Sequence, residues 1–87
     1  MRFWAGTFKD NRTVQNTVIE NAADDTRTHK VFDAIDSICY EFDIARPIWL
    51  ESNISDFKKY SKVRFFKDSF VEDISFDYLE FYVLEED

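Results

Sequence analysis

The sequence predicts an α+β domain, a small antiparallel sheet of three to four strands covered by two helices, in the order ββααβ along the chain. Three observations predict it. Two β-rich runs flank a turn near the N-terminus, residues 24–43 have a helical apolar period, and residues 74–86 alternate as a strand does. The 87 residues leave no room for a second domain, so we expect a single domain over residues 1–87.

The first predicted unit is a β-hairpin. The runs RFWAGTF (2–8) and TVQNTVIE (13–20) are rich in aromatic or β-branched residues, and Asp10 and Asn11 between them are typical turn residues. Gly6 lies inside the first strand, where a glycine most often marks a bulge or the close approach of another backbone.

The clearest predicted element is an amphipathic helix over residues 24–43. Its apolar residues recur at spacings of three and four, and Phe32 widens the stripe formed by Val31, Ala34, Ile35, Ile38, Cys39 and Phe42. Asp24 or Asp25 is expected to cap its first turn. Because Pro47 disfavours helical geometry, we expect Ile48–Leu50 to run extended, as a candidate short edge strand.

A second, short helix is predicted over residues 53–62, capped by Asn53 or Ser55. Helical spacing places its apolar and basic residues on opposite sides. We therefore expect Phe57, Tyr60 and at least one of Phe65, Phe66 and Phe70 to face the core. Lys58, Lys59 and Lys62 should face solvent.

The last predicted strand, residues 74–86, is apolar on both faces. Residues 64–73 before it leave room for only one helical turn. A strand with two apolar faces is covered on both sides, so we expect this strand to be covered by helices of the chain or by a second copy.

Composition limits the class of protein. Ten Phe, four Tyr and two Trp supply the large rings that a thin core needs. Cys39 is the only cysteine, which excludes an internal disulfide or a cysteine-based zinc cluster and fits a reducing compartment. Without an apolar run long enough for a signal peptide or a membrane span, a cytoplasmic protein is expected.

Charge is unevenly distributed. The chain carries a net charge of −7, yet residues 57–70 hold five basic residues and one acid, and residues 71–87 hold seven acids and no base. The acidic whole argues against double-stranded DNA as a partner, because such binding depends on neutralising phosphates.

The segments DDTRTHKVFDAI (24–35) and FDIARPIWLESNIS to LEED (42–87) resemble a family of uncharacterised small acidic proteins from Gram-positive anaerobic bacteria. The resemblance spans nearly the whole chain. It implies no activity, because that family has none assigned.

Candidate catalytic and metal-ligating residues are few. A single glycine excludes phosphate-cradling loops, and Cys39 lies on the apolar helix stripe while His29 points elsewhere. His29 and Asp33 have the spacing of two metal ligands on a helix, but the sequence nominates no third. We therefore expect no catalytic residue, cofactor or metal ion, and a protein that is not an enzyme.

The remaining candidates are partner-binding residues. Trp and Arg are frequent interface hot spots, which nominates Arg46 and Trp49, although Trp49 could instead plug the edge of the core. A basic stripe and an acidic helix face could meet between two copies; these residues are Lys58, Lys59, Lys62, Asp33, Asp36 and Tyr40.

The leading hypothesis is therefore a protein-interaction module that self-associates as a homo-oligomer. The alternative is a nucleic-acid-related role. Either single strands bind along the basic stretch 58–67, or the acidic surface mimics nucleic acid.

Overall fold

The computed structural model describes residues 1–87 and confirms the α+β class. A hairpin of β1 (Arg2–Lys9) and β2 (Arg12–Glu20) precedes helices α1 (Arg27–Phe42) and α2 (Glu51–Tyr60). Strand β3 (Lys62–Phe65), a 3₁₀ turn (Lys67–Ser69) and strand β4 (Tyr78–Glu85) complete the chain. The four strands form one antiparallel sheet in the order β2-β1-β4-β3.

The predicted hairpin is confirmed, and its turn follows from its sequence. Asp10 and Asn11 both have positive φ, 52° and 64°, which is the two-residue turn whose twist matches that of paired strands. The pairing of β1 with β2 has an irregularity between Thr7 and Phe8. It does not lie at Gly6, so the bulge is not found there. The close approach of another backbone is found, because a Cβ atom at Gly6 would lie 3.1 Å from the Gln15 carbonyl oxygen, and the Trp4 indole is closer still.

Helix α1 has the predicted apolar stripe but different limits. Thr26 is the N-cap, and its hydroxyl accepts a hydrogen bond from the His29 backbone N–H at 3.2 Å, so the prediction of Asp24 or Asp25 is wrong. Asp43 ends the helix in the left-handed conformation. Phe32 is 47% exposed and does not widen the core face, whereas Lys30 is buried.

Helix α2 begins two residues earlier than predicted, and neither Asn53 nor Ser55 is its N-cap. Asn53 lies inside the first turn, where its side-chain oxygen accepts hydrogen bonds from the Leu50 N–H at 2.9 Å and the Ser69 hydroxyl at 3.1 Å. Its amide also donates to the Arg64 carbonyl at 3.1 Å, which links α2 to β3. Buried polar atoms that are fully bonded in this way fix one arrangement of the two elements.

The segment before α2 is extended but is not a strand, so the prediction of an edge strand at Ile48–Leu50 is wrong. The Ile48 N–H donates instead to the Ser69 carbonyl at 2.6 Å, a contact with the 3₁₀ turn rather than with the sheet.

Strand β3 is the element that the sequence reading missed. Ser61 takes the left-handed conformation with φ 54° and ends α2, so Lys62 begins a strand rather than ending a helix. From Lys62 to Phe65 the residues alternate between exposed and buried. This alternation, in place of a helical stripe, decides where the basic residues of this stretch lie.

The core lies between the two helices and one face of the sheet, which we call the inner face. Phe3 stacks on Phe81 with ring centroids 5.3 Å apart, and Phe57 of α2 stacks on Phe81 at 5.7 Å. Trp49 closes the edge of the core, packing edge-on against Phe57 and Phe65. Phe57, Phe65 and Phe70 are buried as predicted, whereas Tyr60 is 63% exposed, so its prediction is wrong.

The last two residues fasten the C-terminal segment to α1. Asp87 forms an ion pair with buried Lys30 and lies 2.6 Å from the N-terminal ammonium group. Glu86 accepts a hydrogen bond from the Arg27 guanidinium at 2.8 Å. The Lys30 and N-terminal contacts lower the pKa of Asp87, and the Arg27 contact lowers the pKa of Glu86.

The position of Phe57 predicts a stability difference within α2. Phe57→Ala removes a buried ring that contacts two other rings, and we expect it to lower the free energy of unfolding by about 3–5 kcal/mol. Tyr60→Ala, three residues along the same helix, should change it by less than about 0.5 kcal/mol. Urea denaturation measures both, and equal effects of the two substitutions would contradict the assignment of the core face.

The C-terminal ion pairs predict a pH-dependent stability. Both carboxyl pKa values are lower in the folded chain than their ordinary values of 3.8 and 4.5, so the stabilisation is complete above those values. It is lost as the pH falls through the lowered folded-state values. The double variant Glu86→Gln, Asp87→Asn should therefore be less stable than the wild type at about pH 7 and should converge with it in acid.

Asp24→Asn with Glu41→Gln is the matched control for this experiment, because both acids are exposed and neither forms an ion pair. An equal loss of stability in this control would mean that net charge, and not the two contacts, is responsible.

Candidate functional site

The opposite face of the sheet, which we call the outer face, carries the candidate site. Both helices pack on the inner face, so the outer side chains of β1, β2 and β4 meet no helix, while Asp56 and Tyr60 of α2 border Lys62, Arg64 and Phe66 at the β3 edge. The pairing register arranges them in three rows across the sheet: Val18, Trp4, Tyr82 and Lys62; Asn16, Gly6, Glu80 and Arg64; and Thr13, Phe8 and Tyr78, with Phe66 beside Tyr78.

Four aromatic rings of the outer face stack in pairs between β1 and β4. Trp4 stacks on Tyr82 with ring centroids 5.2 Å apart, and Phe8 stacks on Tyr78 at 5.0 Å. The two rings of each pair have nearly parallel planes at this separation. One face of each ring therefore lies against its neighbour. The rings are therefore held in place within the single chain.

Gly6 allows this arrangement. A Cβ atom at this position would lie 2.5 Å from Cη2 of Trp4 and 3.0 Å from its Cζ2. Only a residue without a side chain leaves the indole free to lie across β1 beside Tyr82.

A charged cluster lies between the two ring pairs. Glu80 projects from the middle row, yet its side chain is only 8% exposed, because Arg64 and Lys62 cover it. Arg64 Nε donates to its Oε1 at 3.0 Å and Lys62 Nζ lies 3.2 Å from the same oxygen. The same two cations lie over the Tyr78 ring at 4.8 Å and the Tyr82 ring at 5.8 Å. The cluster carries a net charge of +1.

Three apolar side chains are accessible at separate places on the border of the outer face. Val18 is 47% exposed and Phe66 49% exposed, and Leu84 is exposed at the end of β4. With the four partly buried rings they form two apolar patches, one on each side of the polar and charged middle row. Exposed apolar patches rimmed by polar residues mark sites of interaction.

A second, smaller apolar surface lies between the helices. It is a groove of about 260 Å³ whose walls include Phe32, Trp49, Ile54 and Phe57, with Arg27 and Lys58 at its rim. Its volume is at the lower limit for a ligand pocket and suits one side chain rather than a folded surface.

The eight partner-binding residues predicted from the sequence lie on several surfaces. Lys62 belongs to the outer face, whereas Trp49 and Lys58 line the helical groove and Lys59 lies over the Tyr60 ring. Asp33 lies exposed on α1, while Asp36 and Tyr40 line a shallow depression beside Ile19. Asp36 already pairs with Arg46 at 3.2 Å.

The residues that sequence reading considered for catalysis are separate in the structure. Cys39 is buried, and burial raises the pKa of its thiol to about 11. His29 is exposed, and its Nδ1 lies 2.9 Å from Asp25, a contact that lowers the pKa of the Asp25 carboxyl. No group of three or more His, Cys, Asp or Glu side chains is arranged to hold a metal ion.

Sequence reading missed the aromatic part of the outer face. Trp4, Phe8, Tyr78 and Tyr82 were assigned only to strands, and Glu80 was assigned no role. The alternation in residues 2–8 and 74–86 was the available signal, because it places these residues on one side of each strand.

Comparison of the chain with known proteins finds no matching family model, no matching curated protein and no matching solved structure. The resemblance to a family of small acidic bacterial proteins therefore stays a prediction. Neither helix of the structure combines the length and apolar character needed to cross a membrane.

The contact between Trp4 and Gly6 predicts a non-additive pair of substitutions. Gly6→Ala should lower stability and alter the near-ultraviolet circular dichroism, because the new methyl group displaces the indole and removes a ring stack worth about 0.5–1.5 kcal/mol. In a Trp4→Ala background the same change should cost much less, because only the contact of the new methyl group with the Gln15 carbonyl oxygen, 3.1 Å away, remains and alanine is otherwise preferred to glycine in a strand. Equal costs in both backgrounds would exclude the contact.

Proposed function

We propose that this protein is a small interaction module that binds a second copy of itself through the outer face of its sheet. The observation that supports the proposal is the stacked arrangement of Trp4, Tyr82, Phe8 and Tyr78 on a sheet face without a helix. Rings that are already ordered lose little conformational entropy on association, so their burial contributes to affinity.

The size of the outer face suits a modest protein interface. Four strands about 4.8 Å apart and rows covering about 20–25 Å along them amount to about 400–500 Å² in projection. A standard interface buries about 800 Å² of accessible surface on each partner. The outer face therefore falls in the size class of weak, transient interfaces, and we expect a dissociation constant in the micromolar range.

Charge on the outer face favours a second copy over other partners. Arg2, Lys62 and Arg64 balance the acids of this side of the sheet, Glu20, Glu80 and Glu85, whereas the chain as a whole carries −7. A balanced face can meet its own copy without like-charge repulsion, while the acidic remainder faces outward. Glu80 is already paired with Arg64 and Lys62, so covering the face does not leave this buried carboxylate unpaired.

Single-stranded nucleic acid is the second candidate, because Lys62 and Arg64 lie beside tyrosine rings on the same face. Base stacking, however, needs free ring faces, and each of the two tyrosine rings is already contacted by a stacked ring and by a cation. The net charge of −7 also opposes phosphate binding. These two facts favour a protein partner.

Acidic mimicry of nucleic acid would use the other side of the molecule, where Asp33 lies exposed on α1 and carries no ion pair.

We propose a cytoplasmic site of action for the module, consistent with the free thiol of Cys39.

The test of self-association is a concentration series by sedimentation velocity. The wild type should form a dimer between about 10 and 500 µM. Val18→Ser with Phe66→Ser removes two half-exposed apolar side chains from the outer face and should weaken the dimer at least about tenfold. Urea denaturation of the same variant checks that it stays folded without the contact of Phe66 with Tyr78. As a control, Val71→Ser with Tyr40→Ser changes one valine and one aromatic residue that are exposed outside the sheet and should have no effect on the dimer.

A wild type that stays monomeric at about 500 µM would contradict the proposed function. A labelled single-stranded oligonucleotide, added in the same buffer, provides the second arm of the test. Binding that weakens steeply with salt and is lost in Lys62→Gln with Arg64→Gln would establish the nucleic-acid alternative instead.

A further inference from the structure

We infer that two copies stack their outer faces about a two-fold axis parallel to the strands, so that β3 of each copy lies over β2 of the other. This inference rests on the proposed self-association and specifies its geometry. It follows from the distribution of charge across the sheet and from the symmetry of a two-chain interface.

Symmetry leaves two aligned arrangements for stacked sheets of a homodimer. If the axis is perpendicular to the strands, each strand lies over its own copy. Arg64 then meets Arg64 of the other copy, beside both Lys62 side chains, in a water-excluded interface. If the axis is parallel to the strands, the order β2-β1-β4-β3 is reversed in the second copy, and the two β3 strands lie at opposite edges. Only the second arrangement avoids a concentration of like charge.

Glu20 provides the complementary charge. It is exposed at the end of β2 and forms no ion pair within the chain. Val18, two residues before Glu20 on the same face of β2, lies in the same cross-strand row as Lys62. With the axis parallel to the strands, Val18 lies over Lys62 of the second copy, and Glu20 lies within reach of that ammonium group. Its carboxylate then neutralises the net +1 of the Glu80, Lys62 and Arg64 cluster.

The aromatic rows also match in this arrangement. Reversal of the strand order places β1 of one copy over β4 of the other, so Trp4 lies over Tyr82 and Phe8 over Tyr78. The ring edges of one copy then meet those of the second, and interlocking edges pack closely at the spacing of about 10 Å between stacked sheets.

Cross-linking between single-cysteine positions tests the orientation. A protein carrying Val18→Cys is mixed with one carrying Lys62→Cys and treated with a bis-maleimide that spans about 8–10 Å, the spacing of stacked sheets. The native thiol does not compete, because Cys39 is buried. We expect a cross-linked heterodimer by intact mass, and none from either protein alone. The matched mixture of Val18→Cys with Thr13→Cys should not cross-link, since those positions meet only if the axis is perpendicular to the strands.

Reversing the charge of Glu20 gives a second test, which needs no added cysteine or cross-linker. Glu20→Lys should weaken the dimer at least about tenfold, because it places like charges together beside Lys62. Glu41→Lys, which changes the net charge equally on an exposed site of α1 without an ion pair, should not weaken it.

The outcomes separate the orientation from the function. A cross-link of Val18→Cys with Thr13→Cys would overturn the orientation and leave self-association through the outer face standing. A dimer that cross-links in neither mixture and is insensitive to Glu20→Lys would overturn both the orientation and the outer-face interface. A monomeric wild type would overturn the inference together with the proposed function.

Discussion

A four-stranded sheet has two faces, and this chain has helices for only one of them. Both helices cover the inner face together with Trp49, which follows Pro47. Phe3, Phe57 and Phe81 form the centre of the core there. The outer face must then stay stable in water with side chains of its own strands. The arrangement of rings and charges on that face follows from this constraint.

The outer face meets the constraint by local packing across the strands. Rings stand in pairs, Arg64 and Lys62 cover two of them, and the same cations neutralise Glu80 beneath them. Lysine and arginine stems can cover apolar surface while their charged ends remain hydrated. The resulting face is ordered within one chain and still exposes the apolar side chains of Val18, Phe66 and Leu84. An interaction surface that is ordered before it binds loses little conformational entropy on association.

The sequence allowed the fold class, the hairpin and the stripe of α1 to be predicted, because each depends on a period within one segment. Strand β3 was missed because it has only four residues and continues a helical pattern, which Ser61 ends through a backbone conformation that its residue type does not announce. The same helical pattern led to the prediction that Tyr60 faces the core. The candidate site could not be predicted from local sequence patterns. Trp4 contacts Tyr82 only when β1 pairs with β4, which lies more than seventy residues away in the chain.

We propose that the uncovered sheet face, rather than the helical side, is the surface that binds. The most direct measurement is the change in backbone amide chemical shifts between dilute and concentrated protein. Binding through the outer face predicts concentration-dependent shifts for positions of all four strands, including Val18, Trp4 and Tyr82, with α1 and α2 unchanged. Shifts confined to the groove around Phe32 and Ile54, with the sheet unchanged, would contradict it.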